Sequence, residues 1–313
     1  MLICRRLLPA GLEPLAESCE LVEGGLDATP ERLLELARGA AAIVADPAVA
    51  VDERLLDAAG PQLRVVANFA VGYDNVDLDA CVRRAVIVTN TPEVLTNATA
   101  ELAVALTFAA ARRMSEAEAD LRAGRWGGWD PGTYLGLELS GSCFGVVGMG
   151  RIGRRYAELV AGTAGEILYT SRTPKPDVER EVGALRVGLE ELLPRADVVS
   201  LHLPSSAETV HLIGRAEIAR MKPDAILVNT ARGPLVDSAA LADALRAGEL
   251  GGAGLDVYEH EPQVPEELLD APRCVLLPHI GSATTRARDA MARLVAQNVV
   301  ATLSGSEPPN RVA

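Results

Sequence analysis

Short apolar runs alternate with stretches of helical periodicity along most of the chain. The runs at 2–4, 19–22, 41–45, 64–69 and 86–89 are brief, dominated by aliphatic residues and bounded by polar, Gly or Pro positions, which predicts buried strands. Between them, 30–38 and 52–59 carry apolar residues at helical spacing, and Pro30 suits a first helical turn. The alternation resumes further on, with strands over 143–147, 166–170, 197–203, 225–229, 252–257 and 275–277. Helices are predicted over 188–193, 215–221 and 238–248, and a closing helix over 284–303. Two stretches depart from this rhythm. Residues 97–113 form a long Ala/Leu-rich helix with more apolar surface than one face needs, so burial between lobes or in a subunit contact is expected. Residues 115–132 are more polar and hold both tryptophans, Trp126 and Trp129, in a Gly-rich setting. That predicts a surface arm, and tryptophans exposed on an arm mark an interface.

Strand–helix alternation of this kind builds parallel sheets covered by helices. The fold expected is α/β, with two doubly wound parallel-sheet lobes. The first lobe takes residues 1–96 and the second 97–283, and the terminal segment 284–313 returns to complete the first. No internal repeat or low-complexity linker separates them.

Composition narrows the partners. The chain has 313 residues, 49% hydrophobic and only 3% aromatic, so its core must be mostly Leu, Val and Ala. A net charge of −13 argues against nucleic acid or an anionic membrane as a general partner. It also requires that any anionic ligand be held by local basic groups. No leader-like pattern opens the chain and no apolar run approaches about 20 residues, so a cytoplasmic protein that does not enter a membrane is expected. Cys4, Cys19, Cys81, Cys143 and Cys274 are scattered and form no CxxC pair, which favours reduced thiols over a disulfide framework or a metal site.

The strand at 143–147 breaks into Gly148-x-Gly150-x-x-Gly153, and a helical pattern starts at Arg151. Strand, glycine turn and helix are the context that a dinucleotide fingerprint needs. Gly148 lets the chain turn, Gly150 lets a pyrophosphate approach the backbone, and Gly153 lets the helix pack close to the strand. About 20 residues further on, this fold usually places an acid for the adenosine ribose. This chain has Ser171, Arg172 and Thr173 there, with Lys175 just beyond. Two hydroxyls and a guanidinium can receive a 2′-phosphate that a carboxylate would repel. The expected cofactor is therefore NADP(H), with NAD as the alternative.

Reactive side chains sit at other strand ends. Arg232 follows the strand at 225–229, Asp256 ends the next, Glu261 comes shortly after it with Glu259 as a neighbouring rival, and His279 ends the last. Residues at carboxyl ends of strands in one sheet can converge over a ligand. Hydride transfer to a 2-oxo acid needs such a set. A cation holds the carboxylate, a histidine protonates the carbonyl oxygen, and a carboxylate orients the imidazole. His202, His211 and His260 carry no comparable setting. The polar, Gly-containing loop 70–77 at an earlier strand end is a further ligand candidate.

These motifs together resemble the D-isomer-specific 2-hydroxyacid dehydrogenases: VGYDNVD at 71–77, GVVGMGRIG at 145–153, NTARG at 229–233, GLDV at 254–257 with EP at 261–262, and LPHIGSAT at 277–284. Within that family the chain looks most like the glyoxylate/hydroxypyruvate reductases, through LYTSRTPKP and the RWGGW arm. The resemblance implies a Rossmann cofactor domain and a flavodoxin-like substrate domain. It implies Arg232, Glu261 and His279 as the catalytic set, with Val71 and Gly72 offering N–H groups to the substrate carboxylate. Asp256 would hold the nicotinamide carboxamide, lined by Thr230, Ala231 and Gly281. Arg151 and Ile152 would contact the pyrophosphate, Ser171, Arg172 and Thr173 the adenosine phosphate, and Pro204 the adenine side. Trp129 resembles an arm tryptophan that reaches across a homodimer, with 115–140 at the interface. No metal and no serine-type feedback domain are expected. The implied activity is NADPH-preferring reduction of glyoxylate or hydroxypyruvate to glycolate or D-glycerate. Alternatives are an NAD-dependent phosphoglycerate dehydrogenase and, in another class, a nucleotide-gated corepressor. The chain departs from the common family pattern at Ser171, where the acid is missing.

Overall fold

The computed structural model describes residues 1–313. Residue contacts divide the chain into two units, Met1–Leu95 with Ser282–Ala313, and Thr96–Gly281. All strand pairings within each sheet are parallel.

The first unit opens with β1 (Leu2–Ile3), α1 (Pro9–Ala16), β2 (Val22–Glu23), α2 (Pro30–Ala37) and β3 (Ala42–Ala45). It continues with α3 (Glu53–Ala59), β4 (Val65–Asn68), α4 (Leu78–Arg83) and β5 (Ile87–Thr89). Its sheet runs β2-β1-β3-β4-β5, the flavodoxin-like order. Successive strand residues point to opposite faces, so β3 and β4, buried throughout, feed two cores. Ile43 and Val66 pack under Leu33, Leu55 and Leu56 on one side. Val44 and Val65 pack on the other, with Leu15 and the helix residues Ala292, Val295 and Val299.

The second unit holds α5 (Thr96–Ala111), α6 (Met114–Arg122), β6 (Cys143–Val147), α7 (Arg151–Val160), β7 (Glu166–Thr170), α8 (Pro176–Val182) and β8 (Leu185–Arg186). It goes on through α9 (Leu189–Arg195), β9 (Val198–Leu201), α10 (Arg215–Ile218), β10 (Ile226–Asn229), α11 (Ser238–Ala247), β11 (Gly252–Leu255), α12 (Glu266–Leu269) and β12 (Cys274–Leu276). The last helix, α13 (Thr285–Leu303), belongs to the first unit. The second sheet runs β12-β11-β10-β9-β6-β7-β8. Counted outward from β6, this is the doubly wound dinucleotide order with one further strand, and its crossover reverses between β6 and β9. Both faces are again covered. Phe144, Val146 and Val228 pack with Tyr156, Ala157 and Leu106 on one side, and Val147, Val199 and Leu227 with Leu192, Ile218 and Leu241 on the other.

The helix expected at 97–113 lies within the second unit, where it packs on α7 and on β10, β11 and β12. The polar stretch after it begins as helix α6, and both tryptophans follow in irregular chain, Trp126 at 60% and Trp129 at 85% exposure. Elements the hydrophobic pattern did not mark are short or carry Pro. They include α1 with Pro14 inside it, α4, α8, the four-residue α12, and the two-residue edge strand β8. The named strand ends at Leu201, with the His202 N–H still donating to the Val147 carbonyl of β6 at 2.7 Å, and Leu203 and Pro204 continue past the strand's carboxyl end.

Leu192 has no exposed surface and fills the space against Gly145 of β6. Leu192→Ala is expected to cost about 2–5 kcal/mol, read as a lower urea midpoint by circular dichroism. An unchanged midpoint would show that this layer does not hold the second unit together.

Candidate active site

The carboxyl end of β6 is built for close approach. Gly148 has φ +98, and a Cβ there would stand 2.5 Å from the His202 carbonyl oxygen. A Cβ on Gly153 would stand 2.0 Å from the Gly148 carbonyl oxygen, so helix α7 can sit on the turn only without one. Gly150 differs, because a Cβ there meets nothing within 4 Å. Gly150 is the N-cap of α7, and no side chain caps that end. By contrast Asp52, Asp77, Asp237 and Thr284 cap their own helices. The α7 N-terminus therefore presents N–H groups and a positive dipole end beside an open approach, with Arg151 exposed and Ile152 half-buried next to it. Arg154 is engaged elsewhere, by Glu158, Asp177 and Glu181.

A buried polar chain braces this turn from below. Tyr156, fully buried on α7, shares a 2.9 Å hydrogen bond with Thr107 and packs against His202 with ring centroids 4.9 Å apart and ring planes 41° apart. His202 Nε2 lies 2.8 Å from Ser200 Oγ, and its Nδ1 is enclosed with no hydrogen-bonding partner in the chain. Burial pushes His202 down to about 3, so the imidazole is neutral.

At the end of β7, Ser171 Oγ donates to the Thr173 carbonyl at 2.6 Å, while Arg172 and Thr173 are exposed. Arg186 of β8 donates to the carbonyls of Ser171 at 3.0 Å and Arg172 at 3.3 Å. Sequence reading missed this second guanidinium, because β8 is too short to register. Pro204 lies in the loop that follows β9, where its carbonyl accepts from Thr209 Oγ1 at 3.2 Å.

The reactive side chains come together at the ends of β10, β11 and β12. His279 Nδ1 lies 2.6 Å from Glu261 Oε2, with side chains 35% and 30% exposed. His279 holds a left-handed φ of +52, uncommon for a residue with a Cβ. Asp256, 1% exposed, accepts the N–H groups of Ile280 and Gly281, each at 2.7 Å, and so fixes the backbone next to His279. Burial raises the Asp256 carboxyl above its ordinary range, against those two donors and the charge of His279. Burial also works to raise Glu261, but the hydrogen bond and charge of His279, the Tyr258 N–H and the Arg232 guanidinium outweigh it and hold Glu261 below the usual range. Asn229 shapes the turn that carries Arg232. Its Oδ1 accepts from Ala231 N at 3.0 Å and its Nδ2 donates to the Arg232 carbonyl at 2.8 Å. Thr230 Oγ1 is buried beside them with no partner in the chain. Glu259 does not compete for His279. It pairs with His211 at 2.9 Å.

In the first unit, Asn68 and Asn90 side chains donate to the carbonyls of Gly72 at 2.8 Å and Val71 at 2.7 Å. The N–H groups of the same two residues find no acceptor in the chain.

The family description "D-isomer specific 2-hydroxyacid dehydrogenase, NAD binding domain" matches residues 104–281. A glyoxylate reductase of Thermococcus litoralis is 51% identical over 234 residues, 74% of this chain and 71% of that protein. One of Pyrococcus furiosus is 49% identical over 234 residues, again 74% of this chain and 70% of that one. This chain belongs to the D-isomer-specific 2-hydroxyacid dehydrogenases. A crystal structure from Thermus thermophilus shares its fold at a TM-score of 0.92, with 44% identity over 100% of this chain and 99% of that one. An NADPH-dependent glyoxylate/hydroxypyruvate reductase of Sinorhizobium meliloti, solved with NADP and malonate, does so at 0.86, with 36% identity over 100% and 96%.

As a member of this dehydrogenase family, the protein is an oxidoreductase that works with a nicotinamide cofactor. The residues present fit such a cofactor: the uncapped α7 N-terminus and the open space at Gly150 suit a pyrophosphate, and the buried Thr230 hydroxyl has no partner within the chain. No group of His, Cys, Asp and Glu side chains is placed to hold a metal ion, and no helix is long and apolar enough to cross a membrane.

His202 generates a prediction in the dehydrogenase. Its folded pKa is depressed, so between about pH 6.5 and 3 the unfolded chain binds a proton that the folded one does not. Its contribution to stability therefore falls as pH drops through that window, by at most about 1.4 kcal/mol per pH unit. His202→Gln should flatten the acid side of a plot of urea midpoint against pH, and an unaltered slope would show that the imidazole is not neutral and enclosed.

Proposed function

We propose that this dehydrogenase is an NADPH-preferring reductase of small 2-oxo acids, glyoxylate or hydroxypyruvate, giving glycolate or D-glycerate. The observation that carries the reading is the 2.6 Å pair of His279 and Glu261 beside the Arg232 turn, at the carboxyl ends of strands in the cofactor-type sheet. Relatives named glyoxylate reductase, at about half identity over most of the chain, support the substrate class.

Arg232 grips the substrate carboxylate and carbonyl oxygen, a planar cation matched to two acceptors. The glycine turn and the α7 N-terminus would hold the pyrophosphate of a nicotinamide cofactor, whose ring would supply the hydride that C2 of the oxo acid accepts. His279 delivers its proton to the carbonyl oxygen as the C–H bond forms, so that the C=O becomes a CH–OH. Glu261 aligns the imidazole and neutralises its charge. Buried Asp256 keeps the adjoining backbone in place. Ser171, Arg172 and Thr173 receive the adenosine 2′-phosphate, and no carboxylate stands at Ser171 to reject it. The exposed arm, with Trp126, Trp129 and Leu135, is covered by a second copy of the chain, since monomers rarely leave such side chains in water together.

Initial rates of NADPH and NADH oxidation with glyoxylate, hydroxypyruvate and pyruvate test the whole reading. His279→Ala is expected to lower kcat by about 10²–10⁴-fold while NADPH still binds with parent affinity, and near-normal turnover would remove His279 from its role. Arg172→Ala should raise the KM for NADPH and leave that for NADH in place. Parallel changes in both constants would refute the phosphate contact.

A further inference from the structure

Glu259 and Glu261 stand two residues apart and serve different histidines. Glu261 Oε2 meets His279 at 2.6 Å, while Glu259 Oε2 meets His211 at 2.9 Å. The second oxygen of Glu259 accepts from the Ser238 N–H at 2.9 Å, at the start of α11. One carboxylate therefore joins three segments: the loop after β9, the N-terminus of α11, and the loop that carries Glu261. Its side chain is 18% exposed, far less than the 44% of His211.

The backbone around this pair is tight. A Cβ on Gly233 would lie 1.9 Å from the Tyr258 carbonyl carbon and 2.4 Å from the Glu259 nitrogen, so the turn next to Arg232 and the segment 258–259 are in direct contact. The His211 N–H donates to the Pro234 carbonyl at 2.7 Å on the same turn. Tyr258 N–H in turn holds Glu261 Oε1 at 3.0 Å. Displacement of 258–259 must therefore move Glu261. Both histidines, His211 and His279, hold φ +52. A left-handed backbone persists at a residue with a Cβ only where its surroundings fix it, and such outliers gather at functional sites.

We propose that Glu259, locked by His211, is a positioning residue that holds the Glu261 loop in register with His279 and Arg232. The proposal rests on the reading that Glu261 and His279 form the acid that protonates substrate. Burial works to raise Glu259, but the bonds from His211 and Ser238 hold it low, and Glu259 in turn holds His211 above the ordinary histidine value, against partial burial. Glu259 touches neither substrate nor cofactor in this scheme. It acts through Glu261.

The test is steady-state reduction of glyoxylate and hydroxypyruvate by NADPH with the full-length enzyme and the variants Glu259→Gln, His211→Ala, His211→Gln and Glu261→Gln. The double variant Glu259→Gln/Glu261→Gln, NADPH affinity, Tm and the solvent deuterium isotope effect on kcat complete the set. Glu259→Gln should lower kcat about 10- to 100-fold, as misplacement of an acid by an ångström does, with NADPH affinity intact and a larger isotope effect. His211→Ala, on an exposed loop, should follow it, and His211→Gln, which keeps a donor, should restore part of the rate. The double variant should be no slower than Glu261→Gln alone, since the two act as one unit. A Glu259→Gln enzyme with parent kcat and isotope effect, whatever its Tm, overturns the proposal while Glu261→Gln remains slow. If Glu261→Gln itself runs at the parent rate, or the parent reduces neither acid, the underlying reading fails and the proposal with it.

Discussion

The two oxygens of Asp256 each accept a backbone N–H at 2.7 Å, from Ile280 and Gly281, and this carboxylate sets the place of the residues around it. It stands at the end of β11, buried to 1% exposure, beside a strand end on β12 that would otherwise be free to swing. A carboxylate in that position has lost most of its water and recovers the cost only through well-aimed donors. The donors it finds are those next to His279. The strand end is thereby bound, the left-handed φ at His279 is held, and the imidazole is delivered to Glu261. A buried anion satisfied by backbone amides is a rigid support, because any shift leaves it unpaired in a low-dielectric setting.

The same logic recurs one strand over with neutral groups. Asn229 ends β10 and uses both ends of its amide on the following turn, so Arg232 emerges from a fixed backbone. On β6 the support lies below rather than beside the turn: Tyr156 and a neutral His202 fill the space under the glycines with a hydroxyl–imidazole chain. Each of these strands of the doubly wound sheet thus ends in a different device that turns the chain without loosening it. This is why the carboxyl edge can carry chemistry on loops.

Much of this edge was legible in the sequence, and the reason is physical. A parallel strand buried on both faces reads as an unbroken apolar run, so Cys143–Val147 and Glu166–Thr170 match the expected strands. The glycine turn was legible because only residues without Cβ fit where 2.0 Å separates a would-be side chain from a carbonyl. Arg232, Glu261 and His279 stood out as strand-end residues, and the structure brings Glu261 and His279 together. What stayed hidden has no local signature. Arg186 reaches the Ser171 loop from a two-residue edge strand, and His211 finds Glu259 across 48 positions. The choice between Glu259 and Glu261 as partner of His279 depends on tertiary contacts around Gly233 that neighbours in sequence do not encode. Helix α1 was missed because its Pro14 argues against helix, yet packing against α13 overrides propensity.

Charge explains why so much local preparation is needed. With a net charge of −13, the field of the whole protein repels both a dinucleotide and an oxo acid. Binding must then rest on short-range groups that win within a few ångströms, where a bare N–H or a guanidinium outweighs a screened distant field. In the proposed reading, the uncapped N-terminus of α7 and the cations of Arg172 and Arg186 are groups of that kind, and within the first unit so are the N–H groups of Val71 and Gly72, which find no acceptor in the chain. Arg154, one turn into α7, shows the contrast: it is neutralised by Glu158, Asp177 and Glu181 and so adds nothing to the approach. An acidic protein that binds anions must keep its useful positive charge out of such networks, and the placement of these groups at strand ends and at a helix start achieves that.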